Sequence, residues 1–306
     1  MKTVITGATG FIGRVLTARL LQENHSVVAL TRDVVRARAV LGPSVRCLDW
    51  QGGSDDAWKT EVRTADAVFH LAGESVAAER WTPEYKTRVL ESRTETTRML
   101  VDAQPGGVFV CASAVGYYGG RGDDVITETD APGDDFLAEV CVAWEREANR
   151  ASELPGVRVA IPRIGIVFGR NGGPLQSILR PPGSPVPLYK WGLGGPLGDG
   201  KQWVPWVHLH DLVGMLVWAA TNTAVRGVFN AVAPNPVTST DLAHAIGAFY
   251  GKPAILPVPE FALKAALGEF ADALLYSQRV APTVLQANNF PFRFGEVDAA
   301  LRDLLS

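Results

Sequence analysis

The segment Thr6-Gly7-Ala8-Thr9-Gly10-Phe11-Ile12-Gly13 constrains this chain more than any other. It follows an apolar run over 3–6 and opens an amphipathic stretch over 11–24. Glycines at 7, 10 and 13 suit a tight turn, a close backbone approach to a pyrophosphate, and the packing of a helix on a strand. The amides that start the following helix carry partial positive charge and favour a phosphate. A strand, this loop and a helix in that order read as a dinucleotide-binding unit. Gly7, Thr9, Gly10, Phe11, Ile12 and Gly13 are its candidate contacts.

The next βα junction bears on which dinucleotide is bound. The second apolar run, 26–31, ends in Thr31-Arg32-Asp33. An NAD site usually places a carboxylate here for the ribose 2′-hydroxyl, whereas an arginine suits a 2′-phosphate. Arg32 can hold a phosphate in a bidentate fork. Thr31 and Arg32 are therefore candidate contacts and NADP is the expected cofactor, with Asp33 facing the ribose as the open alternative.

Further strands are expected over 45–48, 67–71, 108–113 and 157–163, alternating with helices over 33–41, 83–103 and 136–153. Continuous apolar strands between helices imply a parallel sheet covered on both faces, a doubly wound α/β (Rossmann) fold. From Gly169 to Gly200 glycines and prolines crowd the chain and predict loops. Periodic structure resumes with helices over 210–221 and 239–250, a strand over 227–230, and helices over 260–267 and 295–304. The expected division is a Rossmann domain, 1–168 plus about 208–232, and a smaller mixed C-terminal domain, 169–207 plus 233–306.

Composition narrows the partners. The 306 residues carry 29 Lys+Arg and 32 Asp+Glu, a net charge of −3, without the clustered positive charge that nucleic acid or an anionic membrane needs. Three cysteines, Cys47, Cys111 and Cys141, make neither a disulfide framework nor a zinc knuckle. His208 and His210, with no third ligand in view, do not make a metal site. No apolar run is long enough to span a bilayer, and the N-terminus shows no signal-peptide pattern. A cytoplasmic protein with a small-molecule substrate is expected. A homodimer is the open expectation for its assembly.

Three segments together carry a resemblance. The loop at 7–13, Asp66-Ala67-Val68-Phe69-His70-Leu71-Ala72-Gly73-Glu74, and Cys111-Ala112-Ser113-Ala114-Val115-Gly116-Tyr117-Tyr118-Gly119 make the chain similar to extended short-chain dehydrogenase/reductases. It resembles more narrowly their atypical "epimerase family" branch, through Glu91-Ser92-Arg93, Trp144-Glu145, Gly192-Leu193-Gly194-Gly195-Pro196-Leu197-Gly198, Trp206-Val207-His208 and Ser277-Gln278-Arg279-Val280. The resemblance implies a Rossmann fold and bound NADP(H). It places Leu71, Ala72 and Gly73 beside the adenosine and ribose, Arg93 near the phosphates, and Arg163 against the nicotinamide end. A solvated helix arginine is the other reading of Arg93.

The family's catalytic pattern is incomplete here. It uses Ser, Tyr and Lys, the last two one helical turn apart. The matching helix has Leu137 and Cys141 at those positions, which supply neither proton nor cation. Cys141 is expected to pack against the cofactor ribose. Ser113 matches the family serine, or finishes its strand by bonding backbone. Tyr117 is the second catalytic candidate, with Tyr118 beside it. Trp191, Trp203 and Trp206 either wall a ligand pocket or fill a domain junction, the latter with Asp211 capping the next helix. The expected function is an NADP(H)-binding, oxidoreductase-like or epimerase-like protein acting on a small polar metabolite. The alternative is a non-catalytic NADP(H) sensor.

Overall fold

The computed structural model describes residues 1–50, 56–181 and 184–306. Seven parallel strands form its central sheet: β1 (Lys2–Thr6), β2 (Ser26–Thr31), β3 (Arg46–Asp49), β4 (Ala67–His70), β5 (Val108–Cys111), β6 (Arg158–Ile164) and β7 (Gly227–Ala231). Their order is β7-β6-β5-β4-β1-β2-β3, and Ser113–Ala114 pairs with the end of β6. The helices that cover it are α1 (Phe11–Gln22), α2 (Val34–Leu41), α3 (Ala57–Arg63), α4 (Pro83–Asp102) and α5 (Phe136–Asn149). The second half adds α6 (Pro174–Leu179), α7 (Leu209–Thr221), α8 (Ser239–Phe249), α9 (Glu260–Leu267), α10 (Phe270–Leu275), α11 (Thr283–Ala287) and α12 (Val297–Leu305).

Strand alternation sorts the core. Ile5, Phe69 and Val110 face one side and pack with Leu16 and Leu20 of α1 and Leu212 and Leu216 of α7. Their neighbours Val4, Val68 and Phe109 face the other side, with Val62 of α3, Leu100 of α4 and Trp144 of α5. Both faces of the central strands β4 and β5 are buried, which is why these runs are continuously apolar rather than alternating. Local chemistry fixes the helix starts: Asp33 accepts the Arg36 amide, Thr82 accepts the Tyr85 amide ahead of Pro83, and Asp135 accepts two amides of α5.

The C-terminal lobe is mixed. Ile166–Phe168 pairs in parallel with Trp206–His208, Trp203–Val204 antiparallel with Val237–Thr238, and Val125–Ile126 in parallel with Arg279–Val280. Phe168, Trp206, Leu242, Ile246, Leu301 and Leu304 share one core there. Several expectations shift. The helix over 136–153 ends at Asn149 and tightens into a 3-10 turn, Arg150–Glu153, and the last helix begins at Val297. The glycine- and proline-rich stretch still forms α6 and a 3-10 turn, Leu188–Trp191. The helix after residue 208 is capped by the His208 side chain rather than by Asp211, whose carboxylate instead accepts the Arg293 and Phe294 amides.

Candidate functional site

The chain runs from β1 outward to β2 and β3 and then returns to β4 on the other side of β1, and this reversal opens a crevice at the strands' carboxyl ends. A cleft of about 650 Å³ lies there. Gly7, Thr9 and Gly10 form its floor, and Thr31, Arg32, Asp33 and Arg36 form one wall. Leu71, Ala72 and Gly73 form the other wall, with Arg88, Glu91 and Glu95 of α4 beyond.

The floor is a cradle that a side chain would fill. Gly7 has φ +70°, and a Cβ there would stand 2.9 Å from the Leu71 carbonyl. A Cβ on Gly13 would stand 2.1 Å from the Gly7 oxygen, so Gly13 lets α1 pack under the loop. Gly10 precedes α1 without a capping side chain, which leaves the first-turn amides free to meet an anion. Phe11, Ile12 and Gly13, expected as cofactor contacts, lie outside the cleft lining, and the Phe11 and Ile12 side chains pack against the core. The Phe11 ring is clasped by the loop at 169–173, where a Cβ on Gly169, Gly172 or Gly173 would come within 2.5, 3.0 or 2.6 Å of it.

Charge distinguishes the β2 wall. The Asp33 carboxylate accepts the Arg36 amide at 2.9 Å as the cap of α2. Among the described residues no carboxylate pairs with the guanidinium of Arg32 or Arg36, and both line the cleft. The sequence reading named Arg32 and missed Arg36. The cap at Asp33 was the signal, because it sets Arg36 one turn into α2, beside the same wall.

The remaining candidates fall outside this lining. Arg93 lies behind it: a Cβ on Gly73 would be 3.2 Å from its Cζ, and its guanidinium sits over Trp144 and donates to the Val89 carbonyl. Cys141 is buried with Sγ 3.7 Å from the Ala114 carbonyl, and burial pushes its thiol up to about 11, so it stays protonated. Arg163 is 3% exposed and donates twice to Glu145, at 2.8 Å each, and once to the Tyr118 hydroxyl at 2.9 Å. Ser113 donates to the same Glu145 at 2.6 Å. The Tyr117 ring lies on the Arg163 guanidinium, 3.4 Å from centroid to Cζ. The structure thus gathers Ser113, Tyr117 and Arg163 into one buried cluster around Glu145, to which the sequence reading gave no role.

That cluster extends across the lobes. Tyr118 donates to Asn230 at 2.6 Å, and Glu128 accepts the Asn230 and Val284 amides and the Thr283 hydroxyl. Burial pushes the Tyr118 phenol up to about 12, so it serves as a donor and not as a base. The tryptophans divide. Trp206 is core, 1% exposed and stacked on Phe168. Trp203 donates to Asp123 under Arg279, and Trp191 is 67% exposed. The three do not form one aromatic wall.

The fold and this cleft define a Rossmann-type α/β protein with a glycine-cradled site for a dinucleotide. The chain belongs to the NAD dependent epimerase/dehydratase family, which residues 3–231 match, and residues 258–304 match a domain of unknown function, DUF1731. It is 40% identical over 316 residues to the chloroplastic SDR39U1 homolog of Arabidopsis thaliana, an epimerase family protein, covering all of this chain and 87% of that one. Human SDR39U1 is 33% identical over the full length of both. The crystal structure of human SDR39U1 (isoform2) with NADPH superposes with a TM-score of 0.85 over 99% of each chain at 33% identity. A nucleoside-diphosphate sugar epimerase from Corynebacterium glutamicum gives 0.75 at 32% identity, covering 99% of this chain and 57% of that one. Among the described residues no helix is long and apolar enough to cross a membrane.

Proposed function

We propose that this protein binds NADP(H) in the cleft and acts as an oxidoreductase or epimerase on a small polar metabolite. One observation carries the cofactor choice: Arg32 and Arg36 line the β2 wall without a carboxylate partner among the described residues, while Asp33 is committed to capping α2. Two guanidiniums suit a 2′-phosphate, and a capping carboxylate suits a ribose 2′-hydroxyl poorly. The human relative solved with NADPH supports the same reading.

The nicotinamide supplies the hydride when the cofactor is bound. The chain's own residues do the rest. The first-turn amides of α1 would hold the pyrophosphate over the Gly7 turn, and Leu71, Ala72 and Gly73 would lie beside the adenosine and ribose. The Ser113 proton is directed to Glu145, so its oxygen offers lone pairs only. The Tyr117 hydroxyl has no partner among the described residues and is free to donate to a substrate oxygen.

A second reading, a non-catalytic NADP(H) sensor, is favoured by Leu137 and by the protonated thiol of Cys141, since neither can relay a proton. Fluorescence titration tests the cofactor. NADPH should bind about ten- to a hundred-fold tighter than NADH, and Arg32→Ala or Arg36→Ala should erode that preference. Equal affinities in the wild type would overturn the reading. Turnover of any NADPH-coupled metabolite separates enzyme from sensor.

A further inference from the structure

The ends of β1 and β4, which flank the cleft, are joined by a buried line of polar side chains. Thr6 Oγ1 lies 2.7 Å from His70 Nδ1, and His70 Nε2 lies 3.2 Å from Thr96 Oγ1. The Thr96 hydroxyl donates to the Ser92 carbonyl at 2.6 Å, so towards His70 it can only accept. This network assigns the imidazole as the Nε2–H tautomer, with Nδ1 an acceptor that draws the Thr6 proton. The Thr6 oxygen then turns its lone pairs to the amides of Leu71 and Ala72, at 3.1 and 3.2 Å. Those amides begin the wall formed by Leu71, Ala72 and Gly73.

We infer that His70 is a positioning residue for the dinucleotide: it orients the Thr6 hydroxyl, which fixes the Leu71 and Ala72 backbone against which the cofactor lies. The inference rests on the dinucleotide reading above. The ring is itself well held, fully buried, stacked on Phe109 and met edge-on by Trp50 and Trp144. Burial also holds its pKa down to about 3, which keeps it neutral and keeps Nδ1 an acceptor.

A double-mutant cycle on the full chain tests this, with NADPH affinity and urea midpoint measured for each variant. His70→Phe and Thr6→Val should each raise the NADPH Kd roughly five- to tenfold. Because both act through one hydroxyl, the double variant should lose no more affinity than Thr6→Val alone. His70→Asn, whose amide oxygen can stand near Nδ1, should retain most of the affinity. His70→Gln reaches instead towards Thr96 and should not. Additive losses, or equal affinity in the Asn and Gln variants, would overturn the positioning role. The Asn–Gln comparison also decides the matter if His70→Phe does not fold. A wild type that binds neither NADPH nor NADH overturns the dinucleotide reading and this inference with it.

Discussion

Arg163 Nε and Nη2 each donate to one carboxylate oxygen of Glu145, both at 2.8 Å, and both side chains are under 10% exposed. Burial works against the guanidinium charge, but the facing carboxylate outweighs it and holds the Arg163 pKa above its ordinary value. The pair crosses from β6 to α5 and carries Ser113 and Tyr117 on its two sides. It therefore fixes the positions of Ser113 and Tyr117 while lying outside the cleft lining.

Removing one partner leaves an uncompensated buried charge. Glu145→Ala should lower stability by about 3–5 kcal/mol in urea denaturation. A double variant, Glu145→Leu with Arg163→Met, should recover much of that loss, because no charge is left unpaired. A loss of under about 1 kcal/mol for Glu145→Ala would show that the pair is better solvated than its geometry implies.

Stability should fall on mild acidification. Burial holds His70 and His208 at about 3 and about 4 in the folded state, against about 6.5 unfolded. Between those values the unfolded chain binds protons that the folded chain does not, so unfolding is favoured as pH falls below 6.5. Each histidine contributes up to about 1.4 kcal/mol per pH unit. Urea midpoints from pH 7.5 to 5 should follow this slope, and His70→Asn should remove part of it. An unchanged slope would show that His70 does not contribute.

The contact between Phe11 and the loop at 169–173 ties the two lobes together at the cofactor floor. Gly169→Ala puts a methyl 2.5 Å from the Phe11 ring and should destabilise by about 1–3 kcal/mol through overpacking. Phe11→Leu should relieve part of that cost, giving a non-additive double variant in thermal melts. Strictly additive losses would mean that the loop shifts away at little cost.

Tyr117→Phe removes the free hydroxyl while keeping the ring on Arg163. In an NADPH-coupled assay of a substrate that the wild type turns over, kcat should fall by about 10²–10⁴-fold if that hydroxyl relays the proton. The NADPH Kd should stay the same. Wild-type rates in Tyr117→Phe would mean that the proton comes from solvent and not from this hydroxyl.

Much of the fold was legible because its determinants are local. Continuous apolar runs, amphipathic helices and capping residues are written within a few positions of one another. The Asp33 cap belongs to this class, and reading it would have exposed Arg36. Short elements such as α10, α11 and the two-residue ladders carry too few residues for a periodic signal. Trp206 was ambiguous because an aromatic among glycines suits a pocket wall and a core equally. Its stacking on Phe168 is set by a strand pairing that no local pattern announces.

The sequence by itself determined the doubly wound sheet, the glycine cradle and the arginine at the end of β2, since backbone freedom, apolar runs and residue charge are properties of neighbouring positions. Tertiary structure decided which polar groups meet. Glu145 finds Arg163 18 positions away, Thr6 finds His70 64 away, and Tyr118 finds Asn230 112 away. In each case a buried donor needs an acceptor, and only the folded chain brings that acceptor within reach.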